Sequence, residues 1–269
     1  MIGAPPSVAL EQLVDYARLE ASAADFRAQY DRAEPWRHLV IENMLRSDVA
    51  MHAAIAYPPL GKLKALLARV FEAREYDGCI DRHDPIFRAI FDELHGPRFT
   101  AFVEKVAGID GLVPDTTLAG AGLHQGGRGS YLRLHADHNT HPLDDTRYRR
   151  VNVLIYLNEI WDAQWNGDLE LWDRQAGSCQ KRIAPVFNRC VISEVSDTSF
   201  HGYDSLRLPR NRTRKALAAY YYAAVPAPGQ AAEPHSEIWP ALRGESAASY
   251  WKHRVCRAVV WRIENALSR

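Results

Sequence analysis

The stretch Tyr131-Leu-Arg-Leu-His-Ala-Asp137 has the composition of a β-strand and carries a His-x-Asp pair at its end. Side chains two positions apart in a strand lie on the same face of the sheet. His135 and Asp137 therefore point the same way and can hold one ion together. We predict a metal site at the end of this strand.

The chain around this stretch is rich in short apolar or aromatic runs, separated by Gly, Pro, Asn and Asp, from about residue 117 onward. Such runs, bounded by turn-forming residues, predict strands. So many short strands favour a double-sheet jelly roll or a small barrel. The predicted strands are Leu118–His124, Ser130–His135, Arg150–Leu157, Asp168–Trp172, Gln180–Ile183, Cys190–Glu194, Ser199–His201 and Arg214–Ala223.

The flanks of this β region show helical spacing instead. Before it, we predict an N-terminal helix whose apolar face starts at Leu10, a short strand at Leu39–Leu45, and a helix capped by Ser47-Asp48. Three more helices are predicted at Leu60–Arg74, Ile86–Leu94 and Phe99–Val106. After the loop Pro226–Pro234, a final helix runs from Ala248 to Ala266, and its apolar stripe would cover the barrel or a second subunit in a homodimer.

These patterns predict one catalytic domain over residues 1–269, of the α+β class with a mainly β core. Residues 1–116 form a mainly helical support region, residues 117–225 the β core, and residues 226–269 a C-terminal loop and helix. The sequence has no internal repeat that would suggest separate units.

Amino-acid composition narrows the classes of partner and the cell compartment that we expect. The 33 basic and 33 acidic residues give zero formal charge, so we expect neither a nucleic acid nor a membrane surface as partner. Four scattered cysteines without a CxxC pair indicate reduced thiols. Residues 1–7 lack a secretory signal pattern, and no apolar run approaches the ~18 residues of a membrane span. We expect a cytoplasmic protein.

A third metal ligand must come from a distant strand, and His201 is the best-placed histidine downstream. Two imidazoles and one carboxylate leave three positions of an octahedron open, as iron(II) oxygenases require. A His-x-Glu pair, His235 with Glu237, has the same spacing as His135 with Asp137 but lies in a proline-rich loop. The same ligands suit zinc, so a zinc hydrolase and a non-catalytic sensor remain alternatives.

2-Oxoglutarate would fill two of the open positions and dioxygen the third. The far carboxylate of 2-oxoglutarate needs a planar cation in a water-poor pocket, a task suited to arginine. Arg214 opens the last predicted strand, thirteen positions after His201, and Arg212 is its rival two residues earlier.

At these residues the chain resembles the prolyl-4-hydroxylase-like branch of the iron(II) and 2-oxoglutarate-dependent oxygenases, which includes the hypoxia-inducible-factor prolyl hydroxylases. The resemblance covers roughly residues 119–222 and depends on the order and spacing of several blocks. They are Tyr131–Asp137, Val153–Asn158 with Trp161-Asp162, Asn166–Leu171, Ile183–Arg189, Ser196-Asp197 before His201, and Arg214–Tyr220.

The resemblance implies a double-stranded β-helix, a cupin-like jelly roll, wrapped by the helices. It implies iron(II) at His135, Asp137 and His201, and 2-oxoglutarate held at its far end by Arg214 and the Tyr156 phenol. His124 stands where relatives often carry a tyrosine near the cosubstrate, so it either packs structurally or contacts cosubstrate or substrate.

The implied activity is hydroxylation of a small molecule, an amino acid or a peptidyl substrate, with a prolyl residue as one candidate target. Iron(II), 2-oxoglutarate and dioxygen are the cofactors, ascorbate is a candidate stimulant, and succinate and carbon dioxide are coproducts. Related halogenases replace the ligand carboxylate by a small residue, so Asp137 favours hydroxylation. Residues 139–149 and the N-terminal third are expected to shape the substrate pocket.

Overall fold

The computed structural model describes residues 12–65 and 72–241. Its helices are α1 (Tyr16–Ala21), α2 (Ala23–Arg32), α3 (Ser47–Ala56), α4 (Pro85–His95) and α5 (Pro97–Ala107), with short 3-10 helices at Ile80–Arg82 and Ala163–Trp165. The strands are β1 (His38–Ile41), β2 (Lys64–Ala65), β3 (Glu72–Ala73), β4 (Glu75–Asp77), β5 (Val113–Pro114), β6 (Gly122–Gly126), β7 (Tyr131–His135), β8 (Thr140–His141), β9 (Asp144–Tyr156), β10 (Leu169–Trp172), β11 (Cys179–Ile183), β12 (Cys190–Glu194), β13 (His201–Tyr203) and β14 (Arg214–Ala223).

Two antiparallel sheets form the β core. The larger sheet has nine strands in the order β1-β12-β9-β14-β6-β4-β2, with β5 beside β14 and β8 beside β9. The smaller has five strands in the order β11-β10-β13-β7-β3. A buried cluster joins the two sheets, and it includes Tyr156 and Ala216 of the larger sheet with Leu169 and Leu171 of the smaller. The predicted double-stranded β-helix is confirmed.

Helices α3, α4 and α5 pack with the larger sheet in the main hydrophobic core. Helix α4 begins at Pro85, one residue before the predicted start at Ile86, because Pro85 suits the first turn and the Asp84 carboxylate caps the Ile86 amide at 2.9 Å. Its apolar residues recur three and four positions apart, which gives one buried face. Helix α5 ends at Ala107 and is followed by Gly108, whose left-handed backbone (φ +64°) suits glycine just after a helix.

The helix predicted for Leu60–Arg74 is wrong. This segment holds strands β2 and β3, with residues 66–71 outside the described part of the chain. Gly61 has a left-handed φ of +86°, which breaks a helix there. Glu72 and Ala73 then pair with β7, while β2 pairs with β4. The hydrogen bonds offered by two open sheet edges outweigh the helical spacing of the side chains.

Several helices and strands also begin or end at residues other than those predicted. The first described helix starts at Tyr16, because Val14 instead forms a β-bridge with Leu45. The strand predicted for Leu39–Leu45 ends at Ile41, before the left-handed Asn43. Ser47 is the first residue of α3 and not its cap. The strand predicted for Ser199–His201 starts at His201.

The final helix predicted for residues 248–266 lies outside the described residues, as does Cys256. Cys79, Cys179 and Cys190 are free thiols. Across residues 12–65 and 72–241, none of the helices has the length and apolarity needed to cross a bilayer.

Candidate metal centre and cosubstrate pocket

The structure brings the three predicted metal ligands together. His135 ends β7 and His201 begins β13, and the two are direct partners across this antiparallel strand pair. One ligand atom each from His135, Asp137 and His201 lies within 4.8 Å of the other two. The Asp137 carboxylate oxygens lie 3.6 Å from His135 Nε2 and 3.8 Å from His201 Nε2. This spacing leaves room for one ion at the centre.

Hydrogen bonds fix the tautomer of both histidines. His135 Nδ1 lies 2.9 Å from the Arg133 carbonyl oxygen, and His201 Nδ1 lies 3.0 Å from the Ser199 carbonyl oxygen. A carbonyl only accepts, so each Nδ1 carries the proton and donates it. Each Nε2 therefore keeps its lone pair for a metal.

The charge of the site also suits a cation. Burial opposes ionisation of Asp137, but the Arg149 guanidinium and the two histidines outweigh it and hold the pKa of the carboxyl well below its usual range. Burial lowers the pKa of His201 to about 4, against the opposing effect of Asp137. At neutral pH Asp137 is therefore charged and His201 neutral, which fits the donor set expected for iron(II).

A cavity that opens to solvent contains the three ligands. It is also lined by two other sets of side chains, one from alternate positions of β9 and one from β14. These are Asn152, Leu154 and Tyr156 on β9, and Arg214, Ala216 and Tyr220 on β14.

Arg214 is buried and held in place from several sides. Its Nε donates to the Gly167 carbonyl at 2.8 Å and its Nη2 to the Tyr156 hydroxyl at 3.3 Å. The guanidinium also lies 4.3 Å from the centre of the Tyr203 ring. Arg212, the rival, lies in a different groove beside Lys215. The arrangement favours Arg214 with Tyr156 as the receptor for a carboxylate inside the cavity.

The turn at Gly167 places this receptor. Gly167 has a φ of +84°, and a Cβ added there would lie 2.3 Å from Leu206 Cδ2 and 3.5 Å from Arg214 Cδ. The left-handed φ and the clash with Leu206 favour glycine at this turn, which directs its carbonyl toward Arg214.

His124 lines the same cavity and is buried. Its Nδ1 accepts from Arg74 Nη1 at 2.7 Å, so its Nε2 donates to the Gly120 carbonyl at 3.0 Å. Burial, with Arg74 nearby, holds the pKa of His124 well below its usual value. Both ring nitrogens are occupied by protein atoms, which favours the packing alternative over direct contact with cosubstrate.

The side chain of His235 makes hydrogen bonds to the protein and does not join the metal cluster. Its Nε2 lies 3.1 Å from the Asp197 carboxylate and its Nδ1 2.6 Å from the Ser236 carbonyl. The neighbouring Glu237 lies 3.9 Å from His138. The His-x-Glu pair thus forms separate contacts and no metal cluster within the described residues.

Sequence reasoning assigned no individual role to Asn152, Arg149 or Arg74, although Arg149 ends the segment 139–149 that was expected to shape the substrate pocket and does line the cavity. Asn152 Nδ2 donates to Asp137 Oδ2 at 2.7 Å, and Arg149 Nη2 lies 3.5 Å from the same oxygen. The alternation of β9 gave a usable signal, since Asn152 lies four residues before Tyr156 on the same face. Arg74 enters from a segment predicted as helix, so nothing in the local pattern places it at the cavity.

A family model described as "2OG-Fe(II) oxygenase superfamily" matches residues 121–222. Residues 121–222 belong to the 2OG-Fe(II) oxygenase superfamily. Iron(II), 2-oxoglutarate and dioxygen are the cofactors of this superfamily. The oxygenase region contains the three clustered ligands together with Arg214 and Tyr156.

The chain is also similar to the mouse (Mus musculus) prolyl 3-hydroxylase OGFOD1, with 26% identity over 201 residues. The match covers 70% of this chain but only 33% of the mouse protein, so the chain spans about a third of the length of this relative.

Two solved structures share the fold. A prolyl hydroxylase from Trichoplax adhaerens, in complex with a hypoxia-inducible-factor peptide, aligns with a TM-score of 0.52 and 17% identity over 77% of this chain and 91% of its own. A Pseudomonas putida prolyl-4-hydroxylase aligns with a TM-score of 0.51 and 18% identity over 74% of this chain and 98% of its own.

Proposed function

We propose that this chain is an iron(II)- and 2-oxoglutarate-dependent hydroxylase whose substrate is a prolyl residue of a peptide or protein. The observation that carries the proposal is the combination, in one cavity, of the His135–Asp137–His201 cluster with the buried pair Arg214 and Tyr156. A zinc hydrolase or a metal sensor would leave the carboxylate receptor without a use.

Different residues of the cavity would bind the metal and the cosubstrate. His135, Asp137 and His201 would hold the iron through two neutral nitrogens and one carboxylate. Arg214 and Tyr156 would hold the far carboxylate of 2-oxoglutarate by charge-assisted hydrogen bonds. When bound, the iron would let dioxygen oxidise two partners at once: one oxygen atom would become the hydroxyl of the substrate, and the other would enter succinate as 2-oxoglutarate loses carbon dioxide.

Apolar side chains form part of the cavity wall, among them Leu154 and Leu169. Apolar surroundings strengthen the pairing of the Arg214 guanidinium with a carboxylate, because the local dielectric constant falls. This pairing also keeps the cosubstrate in one orientation, so that its other end faces the metal ligands.

The prolyl part of the proposal is supported by the name of the mouse relative, a prolyl 3-hydroxylase, since it aligns over most of this chain. The two structures named prolyl hydroxylases support the fold on which such a site is built.

Two measurements test the proposal in sequence. Anaerobic addition of iron(II) and 2-oxoglutarate to the full chain should give the weak visible charge-transfer band of a bidentate keto acid on iron, and Asp137→Ala should abolish it. A colourless wild-type sample would overturn the cofactor assignment. Next, proline-containing peptides should stimulate succinate release and gain the mass of one oxygen atom. A band without stimulation by any peptide would overturn the prolyl substrate alone.

A further inference from the structure

A tryptophan from outside the oxygenase region lies against the metal site. The indole of Trp239 stacks on the imidazole of His135, with ring centres 4.8 Å apart and an angle of 21° between the planes. Trp239 is 7% exposed. Offset stacking at this distance is a favourable arrangement for two aromatic rings.

The segment that carries Trp239, residues 226–241, follows the last strand and is called the C-terminal strap here. Ala136 and Ile238 exchange two backbone hydrogen bonds, each of 2.9 Å. Ala136 lies between the two ligands His135 and Asp137. The strap is thus attached to the same three-residue unit that supplies two of the three metal ligands.

A second attachment lies two residues beyond Asp137. The fully buried Asn139 donates from Nδ2 to the carbonyls of Ala231 and Glu233, at 2.8 and 2.9 Å, and its Oδ1 accepts from the His235 amide at 2.8 Å. One side chain therefore satisfies three backbone groups of the strap. Such a bonded, buried side chain fixes the course of the backbone around it.

A third attachment holds the strap to the loop before β13. The Asp197 carboxylate accepts from the Ala231 amide at 2.8 Å and pairs with His235 at 3.1 Å. Asp197 lies four residues before the ligand His201. The strap is therefore fixed next to both stretches of chain that carry metal ligands.

We propose that Trp239 is a positioning residue for the ligand His135 and that the C-terminal strap is a structural part of the metal centre. The Nδ1 hydrogen bond fixes one edge of the His135 ring. Stacking on its face restricts rotation about the Cβ–Cγ bond, so Nε2 stays directed at the ion. The inference rests on the proposed metal centre.

Simple core filling is the competing explanation, because Trp239 belongs to an apolar cluster with Leu132, Tyr203 and Leu206. Trp161 packs against this same cluster, where its ring meets Trp165 edge to face at 5.9 Å. Within the described residues Trp161 makes no ring contact with a metal ligand. It is therefore a matched control.

The test uses the full chain, anaerobic conditions and Co²⁺ as the probe. The variants are Trp239→Ala, Trp239→Phe and Trp161→Ala. We expect Trp239→Ala to weaken Co²⁺ binding about tenfold, the usual size of an effect next to a metal ligand. Trp239→Phe keeps an aromatic face and should restore most of the affinity. Trp161→Ala should lower the melting temperature but leave Co²⁺ affinity within about twofold of wild type.

Intrinsic fluorescence gives a second readout that needs no destabilising change. Co²⁺ should quench the wild-type indole emission, and Trp239→Phe should lose part of that quenching because the indole stacked on a ligand is gone. Unchanged quenching in Trp239→Phe, or equal losses of affinity in Trp239→Ala and Trp161→Ala, would overturn the inference. Failure of wild type to bind Co²⁺ would overturn the metal centre itself, and these outcomes are separate.

Discussion

Asn152 of β9 and Asp137, two residues beyond β7, are joined by a hydrogen bond of 2.7 Å between the Asn152 amide nitrogen and Asp137 Oδ2. The amide cannot turn over, because Arg149 Nε donates to its Oδ1 at 2.9 Å. Asn152 belongs to the larger sheet, whereas Asp137 continues a strand of the smaller sheet. This one contact therefore fixes the ligand carboxylate relative to both sheets.

Removing this contact should loosen the metal site without removing a ligand. We expect Asn152→Ala to weaken Fe²⁺ or Co²⁺ binding about tenfold, since the Asp137 carboxylate becomes free to rotate. Asn152→Asp should be worse, because a second negative charge would lie beside Asp137. Metal affinity, measured by competition with a chelating dye, checks both variants. Wild-type affinity in Asn152→Ala would show that Arg149 alone orients the carboxylate.

Loss of either histidine ligand should abolish metal binding. We expect His135→Ala and His201→Ala to retain no stoichiometric Fe²⁺ and to lose turnover, because two ligands cannot complete the site. Metal content after desalting and succinate release are the measurements. His83→Gln is the matched control, since His83 pairs with Asp77 at 2.9 Å, outside both the cluster and the strap. A metal-free His83→Gln protein would contradict the assignment of ligands.

Arg214→Ala should mainly weaken 2-oxoglutarate. A buried charge-assisted pair contributes on the order of 2–3 kcal/mol, so the apparent KM for 2-oxoglutarate should rise by roughly 30-fold or more. Metal affinity should stay near wild type, because Arg214 contacts Gly167 and Tyr156 and not the ligands. Arg212→Ala is the control with an unchanged KM. Equal effects of the two substitutions would reject the receptor.

The stability contributed by the His235–Asp197 pair should depend on pH. Burial opposes protonation of His235, but its hydrogen bonds to Asp197 and Ser236 raise its pKa above the ordinary 6.5, with Glu237 adding to the effect. Its stabilisation is therefore complete below pH 6.5 and is lost as pH rises through the folded pKa. Burial likewise opposes ionisation of Asp197, but His235 and the Ala231 amide lower its pKa below 3.8, so its share is lost at low pH.

The melting-temperature difference between wild type and His235→Gln measures this contribution. We expect it to be largest between about pH 4 and 6.5 and to shrink as the pH rises further. A difference that is constant from pH 5 to 9 would show that His235 stabilises the strap as a neutral side chain.

Strand geometry explains part of the site predicted from sequence, whereas Tyr156 was assigned only through the family resemblance. His135 with Asp137 lies at the end of a strand with regular alternation, and Arg214 opens another, so local geometry alone assigns them to a face. The same alternation on β9 connects Tyr156 to Asn152. The β core followed for the same reason, since its strands are regular and bounded by turn residues.

The parts that could not be predicted depend on contacts between distant segments. Arg74 reaches the cavity because it lies between β3, which pairs with β7 of the smaller sheet, and β4, which pairs with β6 of the larger sheet. Its position could not be predicted, because the side-chain spacing of Leu60–Arg74 is helical. Trp239 lies more than one hundred residues from His135, in a loop without periodic pattern. Local sequence carries no information about which partner such a residue will meet.

The N-terminal strands have a consequence for any shorter version of this protein. β1 covers one border of the nine-stranded sheet, and β4 with β2 covers the other. A polypeptide trimmed to residues 121–222 would present rows of bare peptide N–H and C=O groups along β12 and β6, which attract like copies. Residues 121–222 are therefore not expected to fold as an independent domain, and this fragment expressed alone should aggregate.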